Sequence, residues 1–181
     1  MFFTILKKPN LSDLDYDYIF HQGACSDTTC EDGNYIMQNN FIFSKLLVEI
    51  CIENSIPLVY ASSASVYGDG KSFIESKNEK ALNYYAYSKL LFDDYIRNKN
   101  INSIKSQIVG LRYFNVYGPH EDKKKSMASV FFHFNKQLKK NNKIKLFKGH
   151  SGYSNGEQKR DFVHVDDIVK INFWFFKKKR V

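Results

Sequence analysis

Tyrosine and lysine stand four residues apart in Tyr85-Ala86-Tyr87-Ser88-Lys89, a spacing that on a helix turns both side chains to one face and toward a common ligand. A free phenol titrates at about 10, so Tyr85 takes up or gives a proton near neutrality only where a fixed cation favours phenolate, and Lys89 is such a cation. Alone, the pair also fits an ordinary amphipathic helix. Two more segments carry suitable groups at strand ends: Ala61-Ser62-Ser63-Ala64-Ser65-Val66-Tyr67-Gly68 upstream and Arg112-Tyr113-Phe114-Asn115-Val116-Tyr117-Gly118-Pro119 downstream.

Alternating strands and helices are predicted to position these groups. Tyr16 to His21 reads as a buried strand breaking at Gly23. From Asn34 to about Asn54 apolar residues recur every three or four positions, which predicts a helix that Pro57 ends. Pro57 to Ser62 reads as a strand, Tyr85 to Asn98 as a helix, and Ser106 to Phe114 as a third strand. Beyond Pro119 the pattern predicts a basic loop, a helix near Met127 to Lys139, a strand at Ile144 to Phe147, a strand at Asp161 to Val165 and a helix from Asp166. Strand and helix in alternation indicate parallel βαβ units, whose ligands gather beyond the carboxyl ends of the strands.

The 181 residues are 43% hydrophobic and 25% charged, which suits a folded domain. No apolar run approaches the roughly 20 residues of a membrane span, and the opening apolar stretch is too short for a secretory signal. Cys25, Cys30 and Cys51 form neither a C-x-x-C pair nor an even framework, so neither disulfides nor a metal site is predicted and a reducing cytoplasm fits. The net charge of +8 comes almost wholly from lysine, alongside abundant Asn, Ile, Phe and Tyr. A+T-rich coding produces that bias without selection for binding, so neither nucleic acid nor a membrane is a predicted partner. The terminal Lys177-Lys178-Lys179-Arg180 reads as a solvated chain end.

Taken in order, the hydroxyl-bearing strand end, the Tyr-x-x-x-Lys pair and the Arg112 to Pro119 segment resemble the extended short-chain dehydrogenase/reductase family. His21-Gln22-Gly23-Ala24-Cys25-Ser26, Thr28-Thr29, Asn39-Asn40, Ser106-Gln107-Ile108-Val109-Gly110, Ser126-Met127-Ala128-Ser129 and Lys159-Arg160-Asp161-Phe162-Val163 are similar to the branch of that family that epimerises ADP-heptose at C6. The resemblance runs from about Asp17 to Phe176. It implies that Ser63 hydrogen-bonds the reacting oxygen, Tyr85 moves its proton, and Lys89 binds the cofactor ribose and tunes Tyr85. It implies NADP as cofactor, lying along Gln22, Gly23, Ala24, Cys25, Ser26, Asn39, Tyr85, Lys89 and Val116. The implied partner is the sugar nucleotide ADP-heptose, held by Asn115, Ser126, His133, Phe147 and Arg160. Inversion at C6 requires the intermediate to reorient or a second acid/base to serve the opposite face. The family pattern puts a lysine at Lys124 for that task, with Lys123 and Lys125 as alternative registers. Lys125 itself stands where the family usually has glycine. The implied activity is an isomerase of lipopolysaccharide core synthesis, as a homo-oligomer or with a complementary fragment.

The expected fold is α/β, a partial doubly wound Rossmann-type parallel sheet lacking the first βα units, plus the start of a small substrate domain. Its expected division is 1–125 as partial dinucleotide-binding domain, 126–176 as substrate-binding region with returning Rossmann elements, and 177–181 as basic tail. The glycine-rich phosphate turn that normally follows the first strand is absent, since Gly149, Gly152 and Gly156 lead into a strand instead. An incomplete sheet would leave the strand near Tyr16 to Phe20 as an exposed edge. Lost phosphate contacts, each about 1.5–3 kcal/mol, would weaken cofactor binding by many powers of ten. The alternatives are therefore an inactive truncated remnant, a non-catalytic sugar-nucleotide-binding fragment, or a 4-epimerase or dehydratase of the same superfamily.

Overall fold

The first strand is shorter than its apolar run, because only three of its residues find a paired neighbour. In the computed structural model, which describes residues 16–70, 72–75, 79–100, 102, 104–150 and 152–178, β1 is Ile19–His21 and β2 is Leu58–Ser63. They pair in parallel, Ile19 opposite Leu58 and His21 opposite Tyr60. β3, Ile108–Tyr113, completes the sheet in the order β1-β2-β3. The opening apolar stretch and the tail residues Lys179 and Arg180 lie outside the described residues.

The predicted helix from Asn34 to Asn54 forms in three parts: α1, Gly33–Ile36, a π-helical turn Met37–Ile42, and α2, Phe43–Glu53. Asp32 caps the start by accepting from the Tyr35 amide at 2.9 Å. The wide turn, in which the Phe43 amide reaches back five residues to the Gln38 carbonyl, escaped the periodicity because its buried residue, Asn40, is polar. Asn83 caps α3, Tyr84–Arg97, by accepting from the Ala86 amide at 2.8 Å. Val48, Cys51, Ile56, Leu58, Tyr60 and Phe92 form the core between these helices and β2, with the Tyr60 and Phe92 rings edge to face at 4.7 Å. Gly110 on β3 is required by that core: a Cβ there would lie 2.4 Å from the Tyr60 ring and hydroxyl.

The chain divides into two compact units. One comprises the described residues up to Arg112 together with those from Asn172 onward, and the other is Tyr113–Ile171. In the second, β4, Asn115–Tyr117, pairs in parallel with β5, Phe162–His164. β4 was not foreseen, since its three residues follow the third strand with only Phe114 between. α4, Val130–Asn141, starts from a Ser129 cap, and α5, Val165–Lys177, follows β5 directly and carries Asp166 and Asp167 in its first turn. The predicted strand at Ile144 to Phe147 does not form. Those residues lie in a loop that closes on itself through the Gly156 amide and the Phe147 carbonyl at 2.9 Å, and Leu146 and Phe147 are exposed. Among the described residues no helix is long and apolar enough to cross a membrane.

Glu121 organises the turn before α4. Its buried carboxylate accepts from the Gly118 amide at 2.9 Å, from the Ser129 hydroxyl at 3.0 Å and from the Ser129 amide. Within that turn Lys125 adopts φ 51°, ψ −122°, a backbone region that a Cβ disfavours and glycine enters freely. Substituting Lys125→Gly should therefore stabilise the chain by about 1 kcal/mol, the relieved strain exceeding the added entropy of the unfolded state. A urea midpoint that stays put or falls in this variant would remove the strain argument.

Candidate functional site

β2 ends in hydroxyls because the strand alternates its faces. Tyr60 and Ser62 both reach Asp93 on α3, donating at 3.0 Å and 2.9 Å, while Ser63 begins the next turn. Ser63 is buried, caps the short 3-10 turn Ala64–Tyr67 by accepting from the Ser65 amide, and donates to the Ser65 hydroxyl at 3.0 Å. Tyr85 stands at the start of α3. Burial pushes its phenol up and the Ser63 hydroxyl pulls it back, with a net rise.

Lys89, one turn along α3 from Tyr85, is buried, and its ammonium donates to the Ala61 carbonyl at 2.9 Å. Burial lowers its pKa to about 8, against the opposing pull of Asp93. The ammonium is thus mostly charged at neutral pH and loses its proton well below an ordinary lysine. One N–H is engaged by Ala61, which leaves two for a ligand.

A buried polar chain runs behind this face. The Asn40 side chain accepts from the Cys25 amide at 2.8 Å and donates to the Cys25 carbonyl at 3.0 Å and to the Ser88 hydroxyl at 3.1 Å. Ser88 donates to the Tyr85 carbonyl at 2.7 Å. On the other side the Ser44 hydroxyl donates to the Asn40 carbonyl and lies 2.7 Å from His21 Nε2. Since Ser44 spends its only hydrogen on Asn40, His21 Nε2 must carry the proton that joins them. Burial and the nearby Lys89 charge hold the His21 pKa at about 4, so the ring is neutral.

The expected cofactor residues Gln22, Gly23, Ala24, Cys25 and Ser26 follow β1, and Asn40 grips this loop at Cys25. A Cβ at Gly23 would meet nothing within 4 Å, which leaves open room beside bare backbone. Gln22 donates to Asn172 at 3.2 Å, and Asn39 spends a donor on the Tyr35 carbonyl of its own helix. Sequence reasoning singled out Asn39 for a role and passed over Asn40, although the doubled asparagine in an apolar helix was the available signal. It also passed over Asp93, His21 and Ser88 as site residues, which look in sequence like ordinary helix and strand positions.

The remaining expected residues belong to the second unit. Asn115 donates to the Asp161 carbonyl at 2.8 Å, and Val116 pairs with Val163. His133 Nε2 donates to the Ser126 carbonyl at 3.4 Å. Lys124 and Ser126 are exposed on the turn before α4, Arg160 is exposed ahead of β5, and the exposed Phe147 ring lies 6.4 Å from that of Phe134. Ser63, Tyr85, Lys89 and Cys25 thus gather in the first unit, and Asn115, Lys124, Ser126, His133, Phe147, Arg160 and Val116 in the second.

A family model described as the NAD dependent epimerase/dehydratase family matches residues 7–181. The chain is 51% identical over 157 residues to an ADP-L-glycero-D-manno-heptose-6-epimerase from Alkalilimnicola ehrlichii, covering 86% of this chain and 49% of that protein. The crystal structure of the Helicobacter pylori ADP-L-glycero-D-manno-heptose-6-epimerase superposes with a TM-score of 0.79 at 38% identity, over 92% of this chain and 51% of that one. A UDP-N-acetylglucosamine 4-epimerase from Methanobrevibacter ruminantium gives 0.79 at 30% identity, over 93% and 55%. The chain therefore spans about half the length of the relatives it matches.

The expectation of NADP is corrected by these relatives. A UDP-glucose-4-epimerase from Stenotrophomonas maltophila (TM-score 0.74, 19% identity, covering 92% of this chain and 53% of that one) holds NAD. MoeE5 (0.68, 22%, over 91% and 54%) also holds NAD, and the hexosamine dehydratase TunA is NAD dependent. The two cofactors differ at the ribose 2′ position, which is read beside an early strand of the fold.

The neutral, buried His21 makes folding depend on pH. Its folded pKa of about 4 lies below the ordinary value of about 6.5, so the unfolded chain binds a proton between these limits that the folded chain refuses. Stability should fall by roughly 3 kcal/mol as pH drops from about 6.5 to about 4. Urea midpoints of wild type and His21→Gln across this window isolate the effect: the wild type should lose the difference, and parallel profiles would show that His21 takes up its proton freely.

Proposed function

The chain belongs to the NAD dependent epimerase/dehydratase family, and from that membership we propose that it carries the reacting face of an ADP-heptose 6-epimerase. The reaction converts ADP-D-glycero-D-manno-heptose to ADP-L-glycero-D-manno-heptose, a step toward the lipopolysaccharide core. The observation that carries this reading is that Tyr85 and Lys89 stand one turn apart on α3, with the Lys89 ammonium anchored on the Ala61 carbonyl of the strand that ends in Ser63.

Ser63 turns its hydroxyl from Ser65 to the C6 hydroxyl oxygen and orients it. Tyr85, as the phenolate left once its own proton has passed to solvent, takes the hydroxyl proton as C6 becomes a carbonyl, and returns it when the alcohol re-forms. Bound NAD supplies the hydride acceptor and donor. Lys89 has two N–H groups free of Ala61 for ribose hydroxyls, and its charge offsets the burial that otherwise disfavours Tyr85 phenolate. The Gln22 to Ser26 loop, held at Cys25 by Asn40, supplies open backbone for the dinucleotide. Asn115, Ser126, His133 and Phe147 hold the sugar nucleotide, Arg160 pairs with its phosphates, and Lys124 serves as the second acid/base on the opposite face. Unpaired thiols and a nucleotide-sugar substrate fit a cytoplasmic place of work.

The test is conversion of ADP-heptose by the purified chain supplied with NAD, together with NAD binding followed by calorimetric titration. Tyr85→Phe should lower turnover about 10²–10⁴-fold while leaving NAD binding in place, and Lys89→Met should weaken both. Binding of the sugar nucleotide without any turnover would reduce the chain to a non-catalytic fragment, and neither binding nor turnover would reject the reading.

The pH dependence follows from Lys89. Its proton leaves at about 8, so NAD affinity, measured by titration, should hold below that pH and decline above it. An affinity that is level to pH 10 would detach the ammonium from the cofactor.

A further inference from the structure

Asp93 lies one turn beyond Lys89 on α3, is buried, and receives three side-chain hydrogen bonds. Tyr60 donates to Oδ1 at 3.0 Å, and Ser62 and Arg112 Nε donate to Oδ2 at 2.9 and 3.0 Å. Tyr60 and Ser62 flank Ala61, the residue whose carbonyl receives the Lys89 ammonium. Asp93 therefore grips β2 on both sides of the lysine anchor, directly before Ser63. We propose that Asp93 is a positioning residue for the Tyr85–Lys89 pair, its carboxylate serving both as the countercharge of the Lys89 ammonium and as the tie between α3 and the strand end bearing Ser63. The proposal deepens the epimerase reading and rests on it for its catalytic meaning.

Among the described residues, Asp93 is the carboxylate whose charge acts on Lys89. On α3 itself stand the neutral phenol of Tyr85 and the Asp93 carboxylate. At the end of β1 stands His21, neutral near pH 7, and beyond it the Cys25 thiol. From β3 comes Arg112, stacked over Tyr67 at 4.9 Å, whose Nη2 lies 2.7 Å from Glu79 and 3.0 Å from Asp93. Glu79 is held at about 2: burial works against it, and its bonds to Arg97 and Arg112 overcome that. Its charge is thereby committed to the arginines. The field of Asp93 opposes the desolvation of Lys89, and Arg112, in contact with the same carboxylate, limits how far it does so.

The experiment follows the Lys89 side chain by NMR in the ¹³C-lysine-labelled full chain, assigned with Lys89→Arg, as pH is raised. Wild type should titrate at about 8. Asp93→Asn should lower the proton affinity of Lys89 about tenfold, Asp93→Glu should restore it, and turnover should lose its alkaline limb at correspondingly lower pH. Unfolding gives the opposite sign, since a solvated lysine titrates at about 10.4. If Asp93→Asn does not fold, Tyr60→Phe decides, once a cooperative urea transition shows that it is folded: with one donor fewer on the carboxylate, Lys89 must bind its proton more tightly. An unshifted Lys89 in folded Asp93→Asn, or in Tyr60→Phe, overturns the proposal. The titration needs neither cofactor nor turnover, so its failure is separable from failure of the epimerase reading.

Discussion

Everything at this site depends on keeping an ammonium group charged inside a folded chain. Removing such an ion from water costs several kcal/mol even after relaxation, and the structure meets that cost at Lys89 with one backbone carbonyl and one carboxylate a turn away. The result is a lysine that releases its proton more readily than usual, next to a phenol whose burial makes ionisation harder. Each group is poor for proton transfer alone.

That placement requires a rigid frame, and the polar side chains supply it. Asn40 occupies a π-helical turn where the helix widens by one residue, which brings its amide against both the Cys25 backbone and Ser88. Buried amides and hydroxyls are tolerable only when each finds a partner, and here His21, Ser44, Asn40 and Ser88 satisfy one another in series. The loop after β1 and the first turn of α3 are consequently fixed by the same side chain. On the opposite side of the lysine anchor, Gly110 leaves room for the Tyr60 ring, whose hydroxyl meets Asp93. Core packing and site geometry are therefore not separable in this unit.

The second unit is built differently. Aromatic rings of Tyr117, Phe131 and Phe162 pack at 4.4–6.3 Å around β4 and β5, while the polar residues of interest stand exposed at turns. Glu121 gathers two backbone amides and a hydroxyl at the turn before α4, and Lys125 sits there in backbone geometry suited to glycine.

By itself the sequence determined the alternation of strand and helix, the helix face shared by Tyr85 and Lys89, and the hydroxyl-rich end of β2, because these follow from local periodicity and the stiffness of the backbone. It overreached at Ile144 to Phe147, where an apolar run finds no strand to bond with, and it missed β4, whose three residues become a strand only through pairing with β5. Only the tertiary structure decided that Asn40 and not its neighbour faces the interior, since the wide turn that rotates it is stabilised by contacts from distant segments. It likewise decided that Asp93 closes on Tyr60, Ser62 and Arg112, because partners 19 to 33 residues apart in the chain leave no local pattern for a sequence to display.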